Sequence, residues 1–223
     1  MCFSAGASFG ASALLGSIAA VTLVKAKTTP QRLFATIPIA FAVQQLSEGM
    51  LWLSLKDSSL AALQPFFIYT FLVFAMMVWP VWIPLTIRLL EKDAKRKKVM
   101  NALLITGSVV FAGVGCILLL YPVHVVATHH HIHYELDLPP AIKNIVWLFS
   151  LLYSVTTLIA LFISGIRRMK WLGIAFIASY LFATIFYGGF VVSVWCYFAA
   201  VLSIVVLWII LDLRKPASES LNN

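Results

Sequence analysis

The sequence predicts an all-α membrane protein with seven transmembrane helices, its N-terminus extracytoplasmic and its C-terminus cytoplasmic. The composition, a series of long apolar segments and the distribution of basic residues all support this prediction. Residues of the set AVILMFWYC make up 62% of the 223 residues, and only 11% are charged. A soluble domain is about 45–50% apolar. This chain therefore lacks the polar surface that a protein in water needs, and lipid is its expected solvent.

Seven segments are long and apolar enough to cross a bilayer, which takes about 20 residues in an α-helix. They are separated by polar, charged or proline-containing connections such as KAKTTPQR and EKDAKRKK, which are typical of helix ends. Residues 1–215 are predicted to form one transmembrane domain, and residues 216–223 a short polar tail. The predicted spans are residues 6–24, 33–55, 64–88, 100–121, 141–164, 171–187 and 190–211.

The basic residues predict the orientation. Of the 16 lysines and arginines, all but Lys56 and Lys143 lie on alternate connections or on the C-terminal tail. Because cytoplasmic loops carry the excess of basic residues, we expect a multi-pass protein of the cell inner membrane with this side in the cytoplasm. The net charge of +8 then reflects topology. The short run KDAKRKK is expected to touch anionic lipid, and no nucleic-acid partner is predicted.

Polar residues gather at the outer end of the second helix. Glu48 lies about two turns below that end, where a carboxylate is costly and commonly functional. Gln44, Gln45 and Trp52 lie three or four residues from it and can share its face, while Gly49 allows another helix to come close. This face is predicted to contribute a catalytic carboxyl and substrate contacts. A structural, hydrogen-bonded carboxyl is the alternative.

Two of the three cysteines lie near the predicted outer ends of helices. Cys2 and Cys196 form a disulfide if that compartment is oxidising, or they are thiols at a metal or reactive site. Cys116 lies within the fourth helix and is predicted to be a buried, small apolar residue.

The connection after the fourth helix contains all five histidines, between His124 and His133. Residues 129–138 mostly alternate between polar and apolar side chains, as an amphipathic extended segment does. We expect the apolar edge to lie on the bundle and cap its outer opening. The polar edge can bind a metal, form a pH-sensitive or substrate-contacting lid or simply meet water. It carries His129, His131, His133, Glu135 and Asp137.

Five motifs, in order along the whole chain, resemble those of the DUF6629 family of bacterial membrane proteins: MCFSA, QQLSEGMLW, WPVWIPL, HIHY and SVWCYFAA. The resemblance implies a seven-helix architecture and no particular activity. In the family's HIxY pattern His131 matches, whereas His129, His130 and His133 are local additions. The motif positions of this chain are Cys2, Ser4, Glu48, Trp52, His131, Tyr134, Ser193, Trp195 and Cys196.

The first of three candidate functions is an outward-facing site that binds a metal or catalyses a reaction such as metal-dependent hydrolysis. Sulfur, imidazole and carboxylate ligands suit zinc, or copper if the thiols dominate. Glu48 and Cys2 are the predicted catalytic residues. The predicted metal ligands are Cys2, Glu48, His131 and Cys196.

Two other functions involve binding without chemistry: a transporter, which needs a polar cavity near mid-membrane, and a receptor or sensor, which binds its ligand outside. Helices 1 to 3 and 5 to 7 run in matching directions about helix 4, a layout found in small-molecule transporters. A receptor or sensor is the third possibility, although the seven-span layout alone does not favour it. In each case the expected ligand is a small molecule or a lipid. Its predicted contacts are Gln44, Gln45, Trp52, Tyr134, Ser193 and Trp195.

The predicted orientation can be tested with reporter fusions in a bacterial host. Green fluorescent protein fused after Asn223 is expected to fluoresce, because it stays in the cytoplasm. Alkaline phosphatase is expected to be inactive there and active when inserted into the histidine-containing connection at residues 122–139. An insertion into the basic connection at residues 92–98 serves as the cytoplasmic control. Active phosphatase after Asn223 would show that the orientation is reversed.

Overall fold

The computed structural model of the chain describes residues 4–128, 131–187 and 198–214. A 3₁₀-helix (Ser58–Leu63) precedes the fourth α-helix, a π-helix (Val73–Val78) follows it, and two strands pair after the sixth. The strands are β1 (Val123–Thr128) and β2 (His131–Leu136). The α-helices in the described ranges are α1 (Ala5–Lys25), α2 (Thr29–Phe34), α3 (Ile37–Ser54), α4 (Gln64–Leu72), α5 (Trp79–Leu90), α6 (Ala94–Leu120), α7 (Pro140–Ile163), α8 (Met169–Tyr187) and α9 (Ala199–Asp212).

Five helical segments of the described chain are long and apolar enough to cross a membrane. They are α1, the continuous stretch Ser58–Leu90, α6, α7 and most of α8. The chain is therefore a helical membrane protein. Two predicted spans differ from this set. Helix α3 starts later than predicted, at Ile37, and polar residues interrupt its apolar sequence, while α9 has only 14 residues. The count of seven spans and the orientation stay predictions.

Helices α1 and α3 form a close antiparallel pair. A Cβ atom on Gly49 would lie 2.7 Å from a ring carbon of Phe9, so only glycine allows this approach without movement of the ring. Further along the pair, the Ser12 hydroxyl donates a hydrogen bond of 2.9 Å to the Ala42 carbonyl. The close helix contact predicted at Gly49 is thus present.

The helical stretch from α4 to α5 contains an irregular turn. The π-helix Val73–Val78 stands directly before the two prolines of WPVWIPL. Pro80 has no N–H, so it cannot donate to the Ala75 carbonyl five residues earlier, which is the π-helical partner position. The Tyr153 hydroxyl of α7 donates to that carbonyl instead, at 3.0 Å. A side chain from another helix therefore satisfies the backbone that the proline leaves open.

Helices α5 and α6 cross in close contact at Gly107. A Cβ atom on this glycine would lie 1.9 Å from the Pro80 carbonyl oxygen. Pro84, four residues after Pro80, has no N–H to donate to that oxygen. The absence of a side chain at Gly107 thus lets α6 pack directly on the backbone of α5.

The two strands form an antiparallel hairpin between α6 and α7, with Val123 opposite Leu136. Strand β2 confirms the extended amphipathic segment that the alternation predicted, whereas its partner strand β1 was not predicted. The side chain of Ile132 is buried in the apolar core, and the ring of Tyr134 stacks on Phe71 of α4 with 4.9 Å between ring centroids. The apolar edge of the hairpin therefore lies on the bundle. We call this the hairpin end of the molecule.

The core has two apolar clusters. The cluster at the hairpin end includes Leu51, Trp52, Phe71, Val114 and Ile132. The larger cluster extends toward the opposite end and includes Phe34, Trp79, Ile83, Met100, Leu161 and Ile209. We call this opposite end the basic end, because the connections rich in lysine and arginine lie there.

Cys116 is exposed on α6, so the prediction that it is buried is wrong. Near Cys116 the core-facing residues of this helix are Val110, Val114 and Leu118, spaced four residues apart. Cys116 lies two positions from both Val114 and Leu118, about 200° around the helix from each. It therefore points away from the core.

Glu91 joins two connections at the basic end. Its side chain is buried, and its carboxylate accepts a hydrogen bond of 2.6 Å from the Gly165 N–H between α7 and α8. The N–H groups of Lys92 and Asp93 donate to the other oxygen at 2.9 and 3.2 Å. Burial raises the pKa of Glu91, but these N–H groups and the charge of Arg96 together hold it below its ordinary value.

The end of α9 is held to the same connection. The Arg168 guanidinium pairs with the Asp212 carboxylate at 2.8 Å and lies 4.1 Å above the centre of the Trp208 ring. Both charged side chains are mostly buried, where an ion pair is screened less by salt than on an open surface. The basic end is therefore fixed by specific polar contacts as well as by its charge.

Replacing Gly107 with alanine is expected to destabilise the protein by about 1–3 kcal/mol or more, the usual cost of overpacking. The new Cβ would overlap a backbone oxygen, so α5 and α6 would have to separate. Gly16→Ala is the matched control, because nothing lies within 4 Å of a Cβ built there. Thermal unfolding in detergent measures both variants. Equal stability of the two variants would contradict the close crossing.

Replacing Glu91 with glutamine is expected to cost about 1–3 kcal/mol of stability at neutral pH, because a charged acceptor of three N–H groups is lost. Since the folded state lowers this pKa, the wild-type carboxylate stabilises the fold above the ordinary glutamate range and loses that effect as the pH falls toward its folded value. Unfolding temperatures over a pH series should show that dependence in the wild type and less of it in Glu91→Gln. Glu135→Gln, at an exposed site, is the control and should keep the wild-type profile. The same pH profile in Glu91→Gln as in the wild type would refute the role of Glu91.

Candidate functional site

A group of polar side chains is buried on one face of α3. Glu48 is completely buried, and Gln44 and Gln45 are 1% exposed. The Gln45 amide donates a hydrogen bond of 3.4 Å to the Glu48 carboxylate. In a membrane protein such a group must face the interior, because lipid offers no hydrogen-bond partner. Gln44, Gln45 and Glu48, whose spacing predicted a shared helix face, are thus all buried side by side.

One turn further toward the hairpin end, Trp52 continues this face. Its ring is buried in the same apolar cluster as Phe71 and Ile132, against which Tyr134 also packs. Its Nε1 atom is buried and has no hydrogen-bond partner among the described residues. The structure therefore brings Trp52 and Tyr134, two predicted substrate contacts, into one cluster beneath the hairpin.

The polar face of the hairpin carries two imidazole–carboxylate pairs. His133 Nδ1 lies 3.2 Å from Glu135 Oε1, and His124 Nε2 lies 3.7 Å from Asp137 Oδ2. All four side chains are exposed by 43% or more, so these pairs meet water. His131 differs from them, because its Nδ1 atom is buried.

The structure describes only some of the other motif positions. Ser4 caps α1, with its hydroxyl oxygen accepting a hydrogen bond of 3.2 Å from the Ala7 N–H. Several predicted residues lie outside the described ranges, and so do both partners of the possible disulfide. These residues are Cys2, His129, His130, Ser193, Trp195 and Cys196.

Metal binding is not supported in the part of the chain that the structure describes. No three His, Cys, Asp or Glu side chains come close enough there to hold a metal ion. Glu48 and His131 are the described members of the predicted ligand set. A zinc or copper site that also uses Cys2 and Cys196 stays a prediction.

A partly open cavity of about 570 Å³ lies between the helices, next to the polar face of α3. Gln44 lines it, as do the rings of Phe41 and Trp79, which pack together with centroids 4.3 Å apart. Leu136 and Leu138, at and after the end of β2, line it from the hairpin end. The hairpin therefore contributes to the roof of an internal space.

The remaining polar groups of the cavity are mostly hydroxyls of α7 and α8. Ser150, Ser154 and Thr184 line it, and each donates to the carbonyl four residues earlier in its own helix at 2.9–3.0 Å. Their oxygens can still accept a hydrogen bond. The cavity is thus an apolar space with one amide and several hydroxyl acceptors.

The contribution of α7 and α8 to the site was not predicted from the sequence. A signal was present, because Ser150, Ser154 and Thr157 recur at four- and three-residue spacing in an otherwise apolar helix. Such a stripe indicates a polar helix face. It does not show which other helices enclose that face, so the cavity could not be assembled from it.

The apolar helices and the polar interior described above define the class: a polytopic helical membrane protein with an internal cavity. The model of the DUF6629 family, described as a family of unknown function, matches residues 1–220. The chain belongs to this family, as the five motifs predicted. No curated protein and no solved structure matches it.

Proposed function

We propose that this chain is an integral membrane protein that binds a small molecule in the cavity beneath the hairpin. The observation that carries the proposal is the presence of Gln44, a buried amide, in the wall of a largely apolar space of about 570 Å³. Binding sites for small molecules usually measure about 300–1,000 Å³ and combine apolar walls with a few polar groups that orient the ligand.

Gln44 and Glu48 have different roles in this proposal. The Gln44 side chain lies in the cavity wall and adds a polar amide group to it. Glu48 lies one turn along α3 and holds Gln45 through their hydrogen bond, which helps to fix the polar face. Positive-inside topology supports placing the basic end in the cytoplasm. The hairpin and the cavity beneath it then face the outside.

The proposal extends to a chemical reaction only if all four predicted ligands together hold a metal ion. Zinc or copper held by Cys2, Glu48, His131 and Cys196 would supply an activated water for hydrolysis. Elemental analysis of the purified protein decides this point. The binding proposal does not depend on it.

Transport of the ligand is a second candidate function, favoured by the π-helix. Ala75 and Met76 belong to this irregular turn and line the cavity. Irregular helices beside a central cavity are typical of transporters, and π-turns are frequent at functional sites. The hydrogen bond from Tyr153 to the Ala75 carbonyl is a contact that a change of shape in this helix can break.

Filling the cavity should remove the bound molecule. Val110 lines the cavity and is completely buried, so Val110→Trp places an indole in that space. Val109, the preceding residue on α6, is 54% exposed, and Val109→Trp is the matched control. The purified proteins are extracted with organic solvent and the extracts compared by mass spectrometry.

We expect one compound to be retained in near-stoichiometric amount by the wild type and by Val109→Trp, and to be absent from Val110→Trp. Unfolding temperatures of all three proteins establish that the variants are folded. Identical extracts from folded Val110→Trp and wild type would contradict the proposal.

A further inference from the structure

We infer that the ligand is an uncharged amphiphile with a hydrocarbon chain, and that it enters the cavity sideways from the membrane between α7 and α8. This inference rests on the proposed function and adds the chemical class of the ligand and its route. It comes from the exposure of the lining residues, the contact between α7 and α8, and the charge of the cavity wall.

The exposed part of the cavity wall belongs to α7 and α8. Lining residues from α3, α5, α6 and α9 are buried or half-buried. The lining residues that are exposed in the described chain all lie on the two other helices. They are Ser150, Ser154, Ile177, Tyr180, Leu181 and Thr184. The mouth of the cavity is therefore formed by α7 and α8.

These two helices pack near their short connection and contribute to the cavity beyond that contact. A Cβ atom on Gly173 would lie 2.9 Å from the Phe162 ring and 3.3 Å from the Leu161 Cβ. The cavity wall begins at Leu158 on α7 and Phe176 on α8, about one helical turn further from the connection. The opening thus lies on the flank of the bundle, at the depth of the helices.

The surface around this opening is apolar. Leu148 and Leu151 of α7 and Ile174, Phe182 and Ile185 of α8 are between 44% and 72% exposed. In a membrane these side chains contact acyl chains. A molecule that already lies in the bilayer can reach the opening directly, whereas a water-soluble molecule would first have to enter the lipid.

The lipid environment also requires a polar group on the ligand. A hydrocarbon chain gains little by moving from lipid into an apolar cavity, because lipid tails are as apolar as leucine side chains. Selective binding must then come from shape and from hydrogen bonds. Ser150 and Ser154 provide acceptor oxygens near the mouth of the cavity, and Gln44 adds a polar amide group to its wall. A hydroxyl on the ligand can donate to the two serine oxygens.

The polar group of the ligand is uncharged. The described lining residues include no Asp, Glu, Lys, Arg or His. Transfer of an isolated charge into such a space is very costly unless an opposite charge compensates it. A monoacylglycerol, with one chain, hydroxyls and an ester, has the required chemistry, whereas the anion of the same fatty acid does not.

The inference is tested with 1-oleoylglycerol and oleate, which share the same chain. Purified protein, first stripped of bound lipid in detergent, is mixed with each compound at about pH 9, where a carboxylic acid is ionised. Native mass spectrometry then counts the retained molecules. We expect 1-oleoylglycerol to bind at least about tenfold more tightly than oleate, because oleate carries a charge into the cavity.

The route is tested by blocking the mouth. Ser154→Trp places a large ring in the opening, while Ile159→Trp, at an exposed position of α7 that does not line the cavity, is the control. In lipid nanodiscs, uptake of 1-oleoylglycerol should slow at least about tenfold in Ser154→Trp, where the new ring obstructs the opening. Uptake by Ile159→Trp should match the wild type. Unfolding temperatures verify that both variants are folded.

Each outcome supports or overturns a defined part of the inference. Equal affinity for oleate and 1-oleoylglycerol overturns the uncharged class, and equal uptake by the two tryptophan variants overturns the lateral route. If neither compound binds while Val110→Trp still loses a co-purified molecule of another class, the inference fails and the proposed function stands. If no molecule depends on Val110 either, both fail.

Discussion

The polar face of α3 has to be kept away from lipid, and the arrangement of the neighbouring helices follows from this constraint. Leaving an amide without a hydrogen bond in an apolar medium costs about 2–7 kcal/mol, and an isolated carboxylate costs more. A buried CH₂ group contributes only about 0.8 kcal/mol. The placement of Gln44, Gln45 and Glu48 therefore outweighs many single apolar contacts. Helices α1, α4 and α9 and the π-helix surround α3 accordingly.

The same requirement applies to the backbone around the prolines of α5, next to the π-helix. In lipid each backbone carbonyl needs a partner within the protein, and the prolines at positions 80 and 84 leave two carbonyls without their usual donors. The Tyr153 hydroxyl satisfies the Ala75 carbonyl, and Gly107 packs directly against the Pro80 carbonyl. Tyr153 and Ala75 also line the cavity. The residues that form this hydrogen bond are therefore part of the proposed ligand site as well.

Local patterns were sufficient to predict much of the fold. Hydropathy located the long apolar helices, and alternation predicted the extended segment that forms β2, because both depend only on neighbouring residues. Strand β1 was missed since its pairing partner decides its structure. The prediction for Cys116 was wrong for a related reason: its composition suits a core, but the face of α6 on which it lies is set by packing against other helices.

Less of the candidate site could be predicted from the sequence. The burial of Glu48 could be predicted because exposing a carboxylate to lipid is costly. The residues that share its helix face could be predicted from helical spacing. The cavity depends on where α3, α6, α7 and α8 meet, which no local pattern specifies. Glu91 shows the same difficulty. In the sequence it is one charge among several in the connection EKDAKRKK. In the structure its carboxylate accepts a hydrogen bond from the Gly165 N–H, 74 residues away in the chain.

The central claim is that the space beneath the hairpin holds a ligand. A density map of the protein in lipid nanodiscs, obtained by electron cryo-microscopy with a bound antibody fragment to add mass, tests this most directly. The account predicts elongated density that begins between α7 and α8 and ends at Gln44, beneath Leu136 and Leu138. A map in which side chains of the protein pack together and fill that space would contradict it.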